Sequence, residues 1–172
     1  VSPESVIGGF DGREENFYGW RFQIRRTGDE FSAEIGNTGE IGSDNTITRR
    51  FVLSTGSHHM QKYWYSIDGS RKPGFFPLAY PVQDDRWVPE HTAFLSPPKA
   101  GMGVKDGRWN FGCTQCHSTH SQPRLLEDGN IDTQVTEFGI SCESCHGPGE
   151  EHVRLNRDPW RRYGQHFADG PD

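Results

Sequence analysis

The chain has 172 residues, enough for one domain or a domain with a small satellite, and only 31% of them are hydrophobic, with 21 Gly and 11 Pro. Its aromatic content of 12% argues against a disordered chain, and its formal net charge of −6 argues against a nucleic-acid-binding protein. Because few apolar side chains are available for a core, we expect another group to fill part of the interior. No apolar run approaches the ~18–20 residues that span a bilayer, so no transmembrane segment is expected.

The first part of the chain, residues 1–95, predicts a small antiparallel β-sheet. Apolar and polar residues alternate in short runs, which is typical of strands with one buried face. Gly28-Asp29 lies between two of these runs and indicates a hairpin turn. The predicted strands lie at residues 17–24, 31–35, 47–53, 60–67 and 75–82.

The second part, residues 96–172, has little periodicity and begins at a linker marked by Pro97-Pro98 and several glycines. Helix is predicted only at residues 150–156, resuming at 160–167 after Asp158-Pro159. We therefore expect a mainly β N-terminal region and an irregular C-terminal region with little helix, the two packed as one compact unit.

All four cysteines lie in this second region, in two copies of a Cys-x-x-Cys-His motif. The copies are C-T-Q-C-H at residues 113–117 and C-E-S-C-H at residues 142–146. In such a motif the two sulfurs add to the two vinyl groups of a haem, and the histidine becomes the proximal iron ligand. The sequence thus predicts two covalent c-type haems, attached through Cys113, Cys116, Cys142 and Cys145 and ligated by His117 and His146. We expect the haems to organise the C-terminal region.

Three other interpretations of the cysteines remain open. Two Cys-x-x-Cys pairs can form a four-thiolate zinc site, two disulfides, or a thioredoxin-like redox pair. None of these requires a histidine after both pairs. With 8 histidines in 172 residues, chance seldom places one at both positions, so the pattern favours haem.

The second axial ligand of each iron is sought among the remaining histidines. Their surplus favours histidine on both faces, which gives lower potentials than His/Met ligation. The candidates are His58, His59, His91, His120, His152 and His166.

Chain reach narrows this choice. His152 follows His146 by six residues, at most ~20 Å of extended chain, which is marginal for wrapping around the same haem. We therefore assign His152 to the haem of His117. In a strand His58 and His59 would point to opposite faces, so only one of them is expected to ligate. We assign His59 to the haem of His146, with His58 as its close substitute.

The second motif resembles a known family. Residues 139–153 resemble the C-E-x-C-H-G-P-G-x-x-H segment of multihaem c-type cytochromes related to the tetrahaem electron-transfer cytochromes, and residues 113–119 resemble their C-x-x-C-H-S-T segment. Residues 55–61 and 86–89 resemble stretches upstream of the motif in large exported members. The resemblance implies electron transfer, bis-histidine haems, close haem stacking and an axial role for His152. Because larger members carry further motifs on either side, we expect a part of a longer protein or a reduced version of one.

The expected function is therefore electron transfer, with redox proteins as partners and with transfer between subunits of a homo-oligomer, a filament or a larger multihaem assembly as a further hypothesis. Covalent haem attachment takes place outside the cytoplasm, so we expect a periplasmic or extracellular protein. We also expect Trp109 and Phe111 to cover the first haem.

The alternative function is that of an enzyme, a dihaem peroxidase or small-molecule reductase, with an open iron site beside an acid–base residue such as Glu90 or His91.

Overall fold

The computed structural model describes residues 1–38, 46–93 and 109–167. The chain divides into two compact units, each described here by itself. The sheet unit comprises Val1–Cys113 and Pro123–Thr133, and the motif unit comprises Thr114–Gln122 and Gln134–Asp172. The predicted region boundary at residues 95–96 and the linker at Pro97-Pro98 lie outside the described residues.

The sheet unit contains an antiparallel sheet of seven strands, which confirms the predicted architecture of the N-terminal part. Each strand pairs with the next one along the chain. A short helix, α1 (Glu90–Ala93), follows the last strand. The strands are β1 (Asp11–Phe17), β2 (Trp20–Thr27), β3 (Glu30–Asn37), β4 (Ile47–Thr55), β5 (Met60–Tyr65), β6 (Gly74–Pro81) and β7 (Val88–Pro89).

The predicted strand at residues 17–24 is wrong as a single element. A tight turn at Tyr18-Gly19 interrupts the aromatic run, so that Phe17 ends β1 and pairs with Trp20 at the start of β2. Tyr18 and Gly19 both have positive φ, 52° and 79°, as a two-residue hairpin turn of type I′ requires. The hairpin predicted at Gly28-Asp29 is confirmed.

Aromatic rings fill the core of the sheet unit. Phe22 of β2, Phe76 of β6 and Tyr63 of β5 are fully buried. Phe10 sets its ring edge-on against four neighbours with centroid separations of 4.9–6.0 Å, namely Phe31, Phe51, Tyr63 and Trp87. Such pairs contribute roughly 0.5–1.5 kcal/mol each beyond the burial of their surface. The sheet unit therefore has a core made of its own side chains.

The motif unit consists of short elements joined by irregular chain. The helix predicted at residues 150–156 is confirmed as α4. The next helix, α5, begins at Pro159, directly after Asp158, whose carboxylate accepts a hydrogen bond of 2.9 Å from the backbone N–H of Trp160. The elements are α2 (Thr114–His117), β8 (Ser118–Thr119), β9 (Glu137–Phe138), α3 (Glu143–His146), α4 (Glu150–Asn156) and α5 (Pro159–Gln165). Across the described parts of the chain, none of the helices has the length and apolar character needed to cross a bilayer.

Candidate functional site

The first Cys-x-x-Cys-His motif begins at the last residue of a π-helical turn, Trp109–Cys113, and continues through the short helix α2. Cys116 is exposed, whereas Cys113 and His117 are partly buried. Thr114 is fully buried, and its carbonyl accepts a 2.6 Å hydrogen bond from the Ser118 hydroxyl. This hydrogen bond lies at the C-terminal end of α2, where the chain passes from His117 into β8.

The second motif forms α3, with Cys142 at its N-terminal boundary. The N–H groups of Cys145 and His146 donate to the Cys142 carbonyl over 3.3 and 3.0 Å. The side chains of Cys142, Cys145 and His146 are exposed. The Glu143 carboxylate accepts a 2.8 Å bond from the N–H of Gly149 and so holds the chain that follows against the helix.

Backbone and side-chain hydrogen bonds join the two motifs within the motif unit. The strand β8, directly after His117, pairs with β9, which ends four residues before Cys142. The N–H of Gly139 donates to the His117 carbonyl over 3.0 Å. Thr119 lies 2.8 Å from Ser141 and 3.3 Å from Ser144, hydroxyl oxygen to hydroxyl oxygen. These hydrogen bonds connect the end of the first motif to the second motif.

The donor set of the motif unit fits covalently attached haem. None of the four cysteines is in a disulfide. Among the described residues of this unit only Thr114 and Ser118 are buried, whereas six large apolar or aromatic side chains are exposed. Ile140 is 70% exposed and Trp160 is 82% exposed; the others are Phe138, Val153, Tyr163 and Phe167. A haem ring carries apolar faces against which such side chains pack. The motif unit holds Cys116, Cys142 and Cys145 with His117 and His146, and Cys113 is the last residue of the adjoining segment of the sheet unit.

The described residues do not form the four-thiolate zinc site of the first alternative. No group of three or more His, Cys, Asp or Glu side chains converges there as a metal site. A haem iron needs only two ligands from the protein, so this finding does not bear on haem.

The predicted distal ligands lie in different units. His152 is exposed on α4, in the motif unit. His58 and His59 are exposed in the sheet unit, in the turn between β4 and β5. The premise that they lie on a strand is therefore wrong, because the chain turns at Gly56, which has a φ of +88°. The chain from His146 to His152 is shorter than its extended limit, because it is helical from Glu150. Both assignments remain predictions.

The other histidines have protein partners. A ring nitrogen of His91 lies 3.1 Å from the Tyr18 hydroxyl, and one of His120 lies 2.9 Å from the Gln122 amide. Glu90, the second acid–base candidate of the enzyme alternative, pairs with Lys62 over 3.1 Å. His166 ends α5 and lies edge-on to Phe167.

An ion pair between Arg154 and Glu151 lies shortly after the second motif. Arg154 of α4 donates from Nε to Glu151 over 2.7 Å and makes a second bond from its terminal nitrogen. This hydrogen bonding lowers the pKa of Glu151 and raises the pKa of Arg154. The pair stays charged at neutral pH.

The two side chains that are expected to cover the first haem differ in burial, and their covering role stays a prediction. Trp109 is 5% exposed and packs against Trp64 of β5, with ring centroids 5.5 Å apart, so it belongs to the core of the sheet unit. Phe111 is about half exposed. Sequence reasoning missed the hydroxyl contacts of Thr119, Ser141 and Ser144, although hydroxyl residues beside both motifs were a visible signal.

Comparison with known proteins identifies one similarity. The family model described as cytochrome c554 and c-prime matches residues 86–147, just over a third of the chain. The matched stretch contains both Cys-x-x-Cys-His motifs and stops before His152. It supports a c-type cytochrome related to a multihaem family, with covalent haem and a role in electron transfer. No curated protein and no solved structure shows significant similarity to the chain.

Proposed function

We propose that this protein transfers electrons through two covalently attached c-type haems. Cys113 and Cys116 attach the first haem and Cys142 and Cys145 attach the second, with His117 and His146 as proximal ligands. His152 is the distal ligand of the first haem, and His59, or His58 in its place, is the distal ligand of the second.

The observation that carries this proposal is that α2 of the first motif and α3 of the second motif lie together in one compact unit. The bond from Gly139 to the His117 carbonyl and the pairing of β8 with β9 bring α2 and α3 together. Two redox groups attached to neighbouring segments are suited to electron exchange, whereas two independent structural cofactors would not require this arrangement.

Bound haem supplies reversible one-electron Fe(III)/Fe(II) chemistry. The chain supplies the rest: thiols that hold the ring edge, imidazoles that occupy the axial positions, and apolar side chains that exclude water. Histidine at both axial positions leaves no room for a substrate at iron, which favours a carrier over an enzyme. We place the protein in the periplasm or outside the cell, where it exchanges electrons with redox proteins or with other subunits of an oligomer, a filament or a larger multihaem assembly.

Absorption spectra of the oxidised and reduced protein, with haem quantified as the pyridine haemochrome, test the proposal directly. We expect two haems per chain, both low-spin in both oxidation states. His59→Ala and His152→Ala should each convert one haem to a high-spin ferric form, whereas the matched control His166→Ala should leave both low-spin. Two low-spin haems in both variants would refute the distal assignment, and a protein without haem would refute the function.

Cyanide distinguishes the carrier from the peroxidase or reductase alternative. Two bis-histidine irons should resist cyanide, because it must displace a protein ligand. Rapid binding to one ferric iron of the unmodified protein would favour the enzyme.

A further inference from the structure

Three hydroxyl groups form a cluster at the junction of the two motifs. The oxygens of Thr119, Ser141 and Ser144 lie 2.8, 3.2 and 3.3 Å from one another, so that each is within hydrogen-bond distance of the other two. All three side chains are partly buried. We call this set the hydroxyl cluster.

Each member occupies a defined position beside an attachment motif. Thr119 is two residues after His117, Ser141 directly precedes Cys142, and Ser144 lies between the two cysteines of the second motif. A hydroxyl group both donates and accepts, so three of them close a ring of hydrogen bonds without leaving a polar atom unpaired.

The backbone connection at this place is short. Strands β8 and β9 have two residues each and form two pairs, Ser118 with Phe138 and Thr119 with Glu137. Beyond β9 the chain still has to pass residues 139–141 before it reaches Cys142. The hydroxyl cluster spans this gap, because it bonds the end of β8 directly to α3 and to the residue before it.

We propose that the hydroxyl cluster fixes the second attachment motif against the first and thereby sets the spacing and angle between the two haems. The proposal rests on the proposed function, since it presupposes a haem on each motif. Thr119 is a positioning residue: it acts on the haems through α2 and α3 and touches neither iron. Removing its hydroxyl releases α3 from β8, and the haem planes lose their fixed relation.

The test compares three single variants of the haem-loaded protein. Thr119→Val removes the hydroxyl and keeps the branched shape, Thr119→Ser keeps the hydroxyl, and Thr136→Val makes the same exchange at an exposed position just before β9. The readout is circular dichroism of the main haem band, in which two coupled haems give a paired positive and negative signal that depends on their distance and angle. Haem content and spin state are measured in every sample.

We expect the wild type, Thr119→Ser and Thr136→Val to give the same paired signal, and Thr119→Val to lose a large part of it while retaining two low-spin haems. Equal signals in Thr119→Val and Thr136→Val would overturn the proposal, and so would an equal loss in Thr119→Ser. Two low-spin haems without a paired signal in the wild type would also overturn it, while leaving the proposed function intact. Fewer than two haems in the wild type would instead refute the proposed function.

A second variant covers the case in which Thr119→Val does not load haem. Ser141→Ala removes another member of the cluster without changing β8 and should weaken the paired signal in the same way. Because the three hydroxyls act together, the double variant Thr119→Val/Ser141→Ala should lose less than the sum of the two single losses. An undiminished signal in Ser141→Ala would contradict the proposal.

Discussion

Gly56 shows how one residue controls the turn that carries His58 and His59. Its φ of +88° is a conformation that side chains disfavour, and a Cβ here would collide with the carbonyl oxygen of Met60. Gly69 has a similar φ of +70° but open space around it. Gly69→Ala should therefore cost only the conformational strain, roughly 1–2 kcal/mol, and Gly56→Ala should lower the free energy of unfolding by more. Denaturant unfolding of both variants measures the difference, and equal losses would show that the turn relaxes around the added methyl group.

Tyr80 links the stability of the sheet unit to alkaline pH. Burial, with a hydrogen bond to Asp85 and the charge of Asp85, raises the pKa of Tyr80 to about 12. A pKa raised in the folded state means that the stabilisation is fully present below the unfolded pKa, about 10, and is lost as the pH rises towards 12. Stability should thus fall between about pH 10 and pH 12.

Two variants distinguish the contribution of Tyr80 to the alkaline loss of stability from the contributions of other groups. Tyr80→Phe keeps the ring against Trp87 and should reduce the alkaline loss. Burial raises the pKa of Tyr63 as well, so some loss should remain. Asp85→Asn removes the nearby charge and should give an intermediate slope. Unfolding midpoints measured across this pH range give the result, and an unchanged slope in Tyr80→Phe would contradict the assignment.

The sequence predicts the attachment residues from local spacing, whereas the covering and distal side chains depend on tertiary structure. Cys113, Cys116 and His117 lie within five consecutive residues, so the haem attachment proposed for them is encoded in local spacing. The contact of Trp109 with Trp64 was not predicted, because Trp64 is remote in the chain and meets Trp109 only in the folded core. The distal assignment of His59 depends on tertiary placement in the same way.

At the scale of elements, hydrogen bonds of the Gln61 side chain in β5 connect the N-terminal segment to the sheet. Gln61 is 2% exposed; its carbonyl accepts from Ile7 N–H over 2.6 Å, and its amide donates to the carbonyls of Ser5 and Gly56 over 2.8 and 3.1 Å. Gln61→Ala leaves these groups unpaired and should cost about 1–3 kcal/mol. Gln23→Ala, which removes one bond to Gly12 on a less buried side chain, should cost less.

Hydrogen exchange locates the effect of Gln61→Ala. Amides of residues 5–10 should exchange faster in this variant, whereas those of the central strands should change little. Uniform acceleration throughout the sheet would show that Gln61 supports the whole unit and not one segment.

Elements with a strong local signal were predicted well. In β3 the buried residues Phe31 and Ala33 alternate with partly buried ones, and α5 begins at the proline of an Asp-Pro pair, so each element carries its own pattern. The Tyr18-Gly19 turn was missed because tyrosine does not signal a positive φ inside an aromatic run. β8 and β9 have two residues each, too few for periodicity, and they exist through pairing across the chain. The hydroxyl cluster was missed for the same reason, since that pairing creates it.

At the scale of the whole molecule, the apolar content is distributed unequally. Most of the aromatic residues lie in the sheet unit, where their side chains form a core. The motif unit, over its described residues, keeps its large apolar side chains at the surface. We expect the sheet unit to fold on its own side chains and the motif unit to depend on the haems proposed for it.

Replacement of all four cysteines by serine tests this dependence, because it prevents attachment without altering the sheet. Amides in β2, β3, β5 and β6 should keep their protection against hydrogen exchange, since the core around Phe22 and Phe76 is unchanged. Amides in α3, α4 and α5 should lose protection, because short helices without a packed face are marginal in water. Equal protection of these helices with and without haem would mean that the motif unit is stable by itself. Loss of protection in the sheet as well would mean that the haems stabilise the entire chain and not the motif unit alone.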